Sequence, residues 1–189
     1  VTPTSVDVAR RLADALDQHG VEYAIGGALA LGYYATPRAT VDVDINVFVP
    51  IPSDLDKALR ALEAAGFEAN DATTLRRTAT EDGQFRGRIS GVRVDVFVPA
   101  IEFYASLRER KRLVQLLGRP IYILDPADLL ILKMMFFRRK DLADAEAVLV
   151  GTERVNLDRV RATLIQFMGT DDPRVVAWDQ LVQDTRANR

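Results

Sequence analysis

Asp42 and Asp44 stand two residues apart in Val41-Asp42-Val43-Asp44-Ile45-Asn46-Val47, a run that alternates apolar and polar residues. In an extended strand that alternation sends the valines and Ile45 to one face and Asp42, Asp44 and Asn46 to the other. Two carboxylates about 7 Å apart along one face can converge on a single hard cation. Without a cation or a cationic side chain between them they repel. Mg²⁺ suits such a pair, because it takes oxygen ligands and commonly combines a few carboxylates with substrate phosphates. A third acid, Asp95, sits in Val92-Arg93-Val94-Asp95-Val96-Phe97-Val98, on the face opposite Val94, Val96 and Val98. If the two strands are neighbours, the three carboxylates form a cluster able to hold two metals and stabilise an in-line displacement at phosphorus. Taken alone, Asp-x-Asp is also what the wet face of any half-buried strand looks like.

Upstream, Val21 to Ile25 reads as a short strand that runs into Gly26-Gly27 and then a helix from Ala28 to Tyr34, stopped by Pro37. Paired glycines between strand and helix let backbone approach a phosphate closely, and the helix N-terminus adds a favourable field. A plain tight turn would use the same residues. The order of the three features is what points to phosphoryl or nucleotidyl transfer: glycine turn, acidic pair on the next strand, third acid on a later one.

The elements that must position these residues follow from periodicity and punctuation. Thr4 or Ser5 caps a first helix with Val8, Leu12, Ala15 and Leu16 at helical spacing, and Gly20 ends it. Ser53 is expected to cap a second helix running to about Ala65, with Asp54 and Asp56 in its first turn and Gly66 past its end. Residues 67–80 are weakly patterned and read as strand and loop. Phe85–Ser90 and Val92–Val98 read as a hairpin turned near Gly91, and Ile101–Leu107 as a short helix. Leu113–Leu117 and Ile121–Leu124 make another strand pair around Gly118-Arg119-Pro120. From Pro126, with Asp125 as cap, the character turns helical: an apolar helix to Phe137, then Asp141–Val150, Leu157–Met168 and Val175–Asp184. The expectation is an α+β core over residues 1–124, its mixed sheet flanked by helices, and a helical C-terminal part over residues 125–189.

The 189 residues are enough for one full core with a small extension. With 48% hydrophobic and 28% charged residues the composition is that of an ordinary globular protein. No apolar run reaches membrane-spanning length; the most apolar stretch, Leu129 to Phe137, is short and contains Lys133. The opening residues lack the build of a secretory signal, and the absence of cysteine excludes disulfides, thiolate metal sites and a cysteine nucleophile. A cytoplasmic location is expected. A single histidine argues against a histidine-based metal site or a Ser-His triad. The net charge of −2 provides no overall field for a nucleic-acid partner. Local clusters remain: Arg108, Arg110, Lys111, Arg112 and Arg119; Arg86, Arg88 and Arg93; and Arg138, Arg139 and Lys140. Each is either a nucleic-acid contact or a solvated face balanced by nearby acids.

Gly26-Gly27 followed by Asp42-Val43-Asp44 and then Asp95 resembles the DNA polymerase β-like nucleotidyltransferase superfamily. More narrowly, Gly26-Gly27-Ala28-Leu29-Ala30 with Arg38-Ala39-Thr40-Val41-Asp42-Val43-Asp44 is similar to the AbiEii/MenT-type toxin group. So are Asp125-Pro126-Ala127-Asp128-Leu129-Leu130-Ile131-Leu132-Lys133 and Arg139-Lys140-Asp141-Leu142-Ala143-Asp144. The resemblance covers residues 21–149. It implies a nucleotidyltransferase fold in which Gly26, Gly27 and the acids Asp42, Asp44 and Asp95 handle NTP phosphates and Mg²⁺ or Mn²⁺. It further implies that Lys133 contacts phosphate and Asp141 completes the site. Members of the toxin group transfer nucleotides, several of them to the 3′ end of tRNA, which implies a toxin restrained by an antitoxin protein.

The residues themselves leave second readings. Lys133 in an apolar helix needs a negative partner, which a triphosphate would supply, or else it snorkels to water. Asp141 can equally cap the helix that follows it. Arg38 can bind phosphate or neutralise the acidic cluster when metal is absent. Asp95 is the candidate general base for a hydroxyl acceptor. A small-molecule acceptor such as an aminoglycoside requires an acidic pocket, for which Asp71, Glu81 and Asp82 are candidates. A non-catalytic nucleotide-binding or antitoxin-like module is the third possibility.

Overall fold

The computed structural model describes residues 3–153 and 155–187, which divide into two compact units. Residues up to Leu29 and from Ala39 to Leu124 form the first. Ala30–Arg38 and the chain from Asp125 onward form the second.

The first unit carries strands β1 (Glu22–Ile25), β2 (Asp42–Phe48), β3 (Glu68–Ala69), β4 (Gln84–Ile89), β5 (Val92–Phe97), β6 (Arg112–Leu116) and β7 (Arg119–Ile123). They form one mixed sheet in the order β3-β4-β5-β2-β1-β7-β6. β2 lies parallel to β5 and β1 parallel to β7, while every other neighbouring pair is antiparallel. Helix α1 (Ser5–Gln18) starts from a capping box in which Thr4 Oγ1 accepts from the Asp7 N–H and the Asp7 carboxylate accepts from the Thr4 N–H. Its stripe Val8, Leu12 and Leu16 is fully buried, and it packs on β1, β2 and β7 beside α3 (Leu55–Ala64). Val43, Ile45 and Val47 of β2 and Val94 and Val96 of β5 are buried too, so the apolar sides of both acidic strands belong to this core.

Both hairpins turn on pairs of residues with positive φ. Ser90 (48°) and Gly91 (85°) join β4 to β5, and Leu117 (48°) and Gly118 (80°) join β6 to β7. Two central residues at positive φ make the turn whose twist matches paired strands, so strand register is fixed by counting back from the turn. Helix α5 (Glu102–Arg110) touches β1 and β2.

Two expectations need correction here. Ser53 does not cap α3: the helix begins at Leu55 after a turn in which the Asp54 N–H bonds the Pro50 carbonyl, and Asp54 occupies the cap position without a side-chain bond. The stretch 67–80 holds a helix, α4 (Leu75–Glu81), after the two-residue β3. Arg76, Arg77 and Thr78 gave that helix no apolar stripe, only Ala79 is fully buried in it, and it is held against β4.

The second unit is helical. It contains α6 (Pro126–Phe136), α7 (Arg139–Gly151), α8 (Leu157–Met168) and α9 (Pro173–Ala187), with α6 touching the other three. Asp125 caps α6 by accepting from the Ala127 N–H. Almost every residue from Pro126 to Ile131 is buried, as its lack of a polar face requires, and Trp178 of α9 is buried as well. Helix α2 (Gly27–Leu31) starts in the first unit and ends in the second. Among the described residues, no helix is long and apolar enough to cross a membrane.

Candidate active site

The acidic face is built by register. In the parallel pairing of β2 with β5, Asp44 stands opposite Asp95 and Asp42 opposite Arg93. In the antiparallel pairing of β4 with β5, Arg86 stands opposite Asp95 and Arg88 opposite Arg93. Neighbouring strands lie about 4.8 Å apart, so side chains opposite one another on one face are within reach. Asp42, Asp44 and Asp95 thus share a single face, as their alternation requires.

The glycine turn closes against that face. Gly27 has φ +54°, and a Cβ placed on it would lie 1.8 Å from Asp44 Oδ2, far inside van der Waals contact distance. Only glycine leaves room for the Asp44 carboxylate there. Gly26 plays another part: its N–H donates to the Asp44 carbonyl (2.8 Å), extending the ladder, and a Cβ placed on it would press on the Leu124 side chain and the Asn46 amide. The Gly26 N–H is therefore used by the sheet. Helix α2 has only five residues, so its dipole adds little. What the paired glycines supply is close approach.

Guanidinium groups occupy the space between the acids. Arg93 Nη2 donates to Asp42 Oδ2, and Arg93 Nε lies 3.4 Å from Asp95 Oδ2. Arg86 Nε donates to Asp95 Oδ1, and that bond, followed by the fields of Asp95, Asp44 and Asp42, holds Arg86 still more firmly in its charged form. Thr40 Oγ1 donates to Asp42 Oδ1 (2.5 Å). Among the described residues no three acidic or histidine side chains are gathered as a ready metal cage. The donor set nevertheless fits a hard divalent cation. It is all oxygen, and the space a Cβ would fill above Gly27 is held open for the Asp44 carboxylate. Mg²⁺ needs only one or two carboxylates when phosphates supply the rest.

Asn46, on the same face, is 2% exposed; its Nδ2 donates to the Ala24 carbonyl, while Oδ1 has no hydrogen-bond partner among the described residues. Arg86 and Arg93 were legible as cations but not as partners of the acids. Counting back from the two-residue turn at Ser90-Gly91 would have placed Arg86 across from Asp95.

A cavity of about 330 Å³ opens beside Asp95. Asp71, Thr74 and Asp82 line it along the α4 segment, with Phe85, Arg86 and Asp95 on the sheet side. Hydrogen bonds from Thr73 and Thr74 hold the Asp71 carboxyl down at about 2, so it stays charged. Glu81 is not among the lining residues and pairs with Arg77 at 3.0 Å.

The other expected site residues lie in the second unit, where buried Lys133 and Asp141 join buried Asp144 and the half-exposed Arg38 in one ion network. Lys133 Nζ donates to Asp141 Oδ1 (3.2 Å) and to Asp144 Oδ2 (2.7 Å). Arg38 grips both oxygens of Asp144 at 3.0 Å, and Arg138 Nε reaches Asp141 Oδ2 at 2.6 Å. Burial pushes both carboxyls up; for Asp141 the bonds from Arg138 and Lys133, and for Asp144 those from Arg38 and Lys133, outweigh it and hold each below its ordinary value. Lys133 thus finds its negative partners in two carboxylates. On the acidic strands, Arg93 pairs with Asp42 and Asp95, and Arg86 with Asp95. Asp141 is not the cap residue of the helix that follows it: it is the third residue of α7, Arg138 stands at the cap position, and the Asp141 carboxylate accepts from the Arg138 N–H.

Part of the cluster from Arg108 to Arg119 is paired with acids. Arg108 and Lys111 meet Glu22, and Arg119 meets Asp14 and Asp17.

Three solved structures share this architecture. The antibiotic-resistance factor ANT(2'')-Ia, in solution, is 13% identical with a TM-score of 0.58, over 97% of this chain and 91% of that one. The fold is that of the nucleotidyltransferases. ANT(2'')-Ia in a crystal complex with adenylyl-2''-tobramycin gives 12% identity and a TM-score of 0.57, over 97% of both chains. An antigenic nucleotidyltransferase-like protein from Paracoccidioides brasiliensis gives 19% and 0.55, over 91% of this chain and 92% of that one. No protein-family model and no curated protein matches the sequence.

Proposed function

We propose that this protein is a divalent-metal-dependent nucleotidyltransferase that moves a nucleotide from an NTP to a hydroxyl acceptor. The observation that carries the reading is Asp44, seated over Gly27 and in register with Asp95 on the next strand. Asp42, Asp44 and Asp95 would hold Mg²⁺ or Mn²⁺. When bound, the metal would supply charge stabilisation to the phosphates during displacement. The turn at Gly27 lets triphosphate approach the carboxylates without a side chain in the way. The acceptor oxygen bonds to the α-phosphorus, the bond from that phosphorus to pyrophosphate breaks, and the acceptor's proton passes to the Asp95 carboxylate.

Two acceptors have support. The first is RNA, in the form of the tRNA 3′ end, with the protein acting as a toxin held in check by an antitoxin. Its support is that Arg38, Lys133, Asp141 and Asp144, all within the motifs shared with the AbiEii/MenT-type group, join in one ion network. The second is a small amine-bearing polyol, as in the antibiotic-resistance neighbours. Its support is the cavity next to Asp95, where Asp71 and Asp82 supply the acidic wall such a cation needs.

Incubation with Mg²⁺ and each α-labelled NTP, against total RNA and a panel of aminoglycosides, separates the two. Label in tRNA supports the first; label in a drug, with pyrophosphate released without RNA, supports the second. No labelled product with any acceptor or nucleotide would remove the transferase reading.

A further inference from the structure

The wet face of β2, β5 and β4 places three carboxylates against two guanidiniums. Arg93 bridges acids on different strands, Asp42 through Nη2 and Asp95 through the 3.4 Å approach of Nε. Arg86 takes the other oxygen of Asp95. The grip is incomplete: Arg93 Nε is buried yet makes no hydrogen bond with any described residue. Both arginine side chains are about half exposed, at 40% and 54%, so each can swing away without opening the core.

A divalent ion approaching the same carboxylates meets these fixed positive charges at short range, and the like-charge repulsion opposes entry. A triphosphate arriving with the ion changes the balance. It adds negative charge, and its oxygens offer guanidinium the planar, bidentate partner it prefers.

We propose that Arg93, assisted by Arg86, occupies the cation position of the resting site, so that metal enters only together with the triphosphate, which then takes over the guanidiniums. The inference rests on the nucleotidyl-transfer reading. It makes Arg93 a positioning residue: it holds Asp42 and Asp95 together before metal arrives and leaves Asp95 unencumbered as a base once nucleotide is bound.

Mn²⁺ binding followed by electron paramagnetic resonance tests this, with and without a mixture of non-hydrolysable α,β-methylene NTP analogues. Wild-type protein should bind Mn²⁺ at least about tenfold more weakly without the analogues than with them. Arg93→Met should bind Mn²⁺ alone about tenfold more tightly than wild type and lose most of the dependence on nucleotide. It should also melt several degrees lower in chelator, and Mg²⁺ alone should restore its midpoint; Arg93→Lys should resemble wild type. If Arg93→Met does not fold, Arg86→Met at the more exposed position gives the same readings. Equal Mn²⁺ affinity in wild type and both methionine variants, with metal bound in the presence of analogue, overturns this proposal and leaves the transferase reading standing. No Mn²⁺ bound by any protein even with analogue overturns both.

Discussion

A methyl group on Gly27 is the smallest change that reaches the chemistry. The position has φ +54° and no room for a Cβ beside Asp44 Oδ2, so Gly27→Ala both strains the turn and displaces the carboxylate. Misplacement of a reacting group by about 1 Å can cost on the order of 100-fold in rate. The expected outcome is a loss of about that size in nucleotide transfer with the fold retained, measured as product formation beside a circular-dichroism melt. At Asp95 the expected outcome is different in kind. Asp95→Asn keeps the shape but removes the proposed proton acceptor, so NTP binding should persist while transfer falls by roughly 10²–10⁴, the usual contribution of a general base. Full activity in that variant would end the assignment of Asp95. These residues were legible because strand alternation alone puts Asp42, Asp44 and Asp95 on faces opposite valines. The pairing of Arg93 with Asp42 was not, because a strand pattern is silent on β2 lying beside β5; Arg86 could have been placed across from Asp95 by counting back from the hairpin turn.

At the scale of elements, what the sequence hid was local and explicable. Helix α4 has no apolar stripe to announce it, yet its segment walls the cavity beside Asp95. Lys133 was legible as a buried cation in α6 but its partners were not, since Asp141 and Asp144 lie one element away on α7. Removing the ammonium leaves two buried carboxylates without it, and breaking a buried pair in this way costs about 3–5 kcal/mol. Lys133→Met should therefore lower stability by about that much in urea unfolding, with the slope unchanged. The same network sets an acid limit. Asp141 and Asp144 have lowered folded values, so the stability they contribute is fully present above the ordinary carboxylate range, about pH 4, and is lost as pH falls through the lowered values. Wild type should lose stability steeply below about pH 4, and Asp144→Asn should show a shallower loss over the same interval. Parallel curves for the two proteins would contradict this origin.

For the whole molecule, the fold class was readable because short alternating strands with turn residues give way to apolar helical runs after residue 124. The second unit also takes in residues 30–38, which no composition shift marks. Length, hydrophobic content and a net charge of −2 said little about the partner, and within the cluster from Arg108 to Arg119 the cations Arg108, Lys111 and Arg119 pair with nearby acids. Transfer chemistry at one sheet face is therefore the point to test. The direct measurement gives the protein NTP labelled at either the α- or the γ-phosphate, with Mg²⁺ and the acceptor mixtures, for wild type and Asp44→Asn. Nucleotidyl transfer predicts α-label on the acceptor, γ-label only in released pyrophosphate, and neither product from Asp44→Asn. Label from the γ-phosphate on the acceptor, or an Asp44→Asn protein as active as wild type, would contradict it.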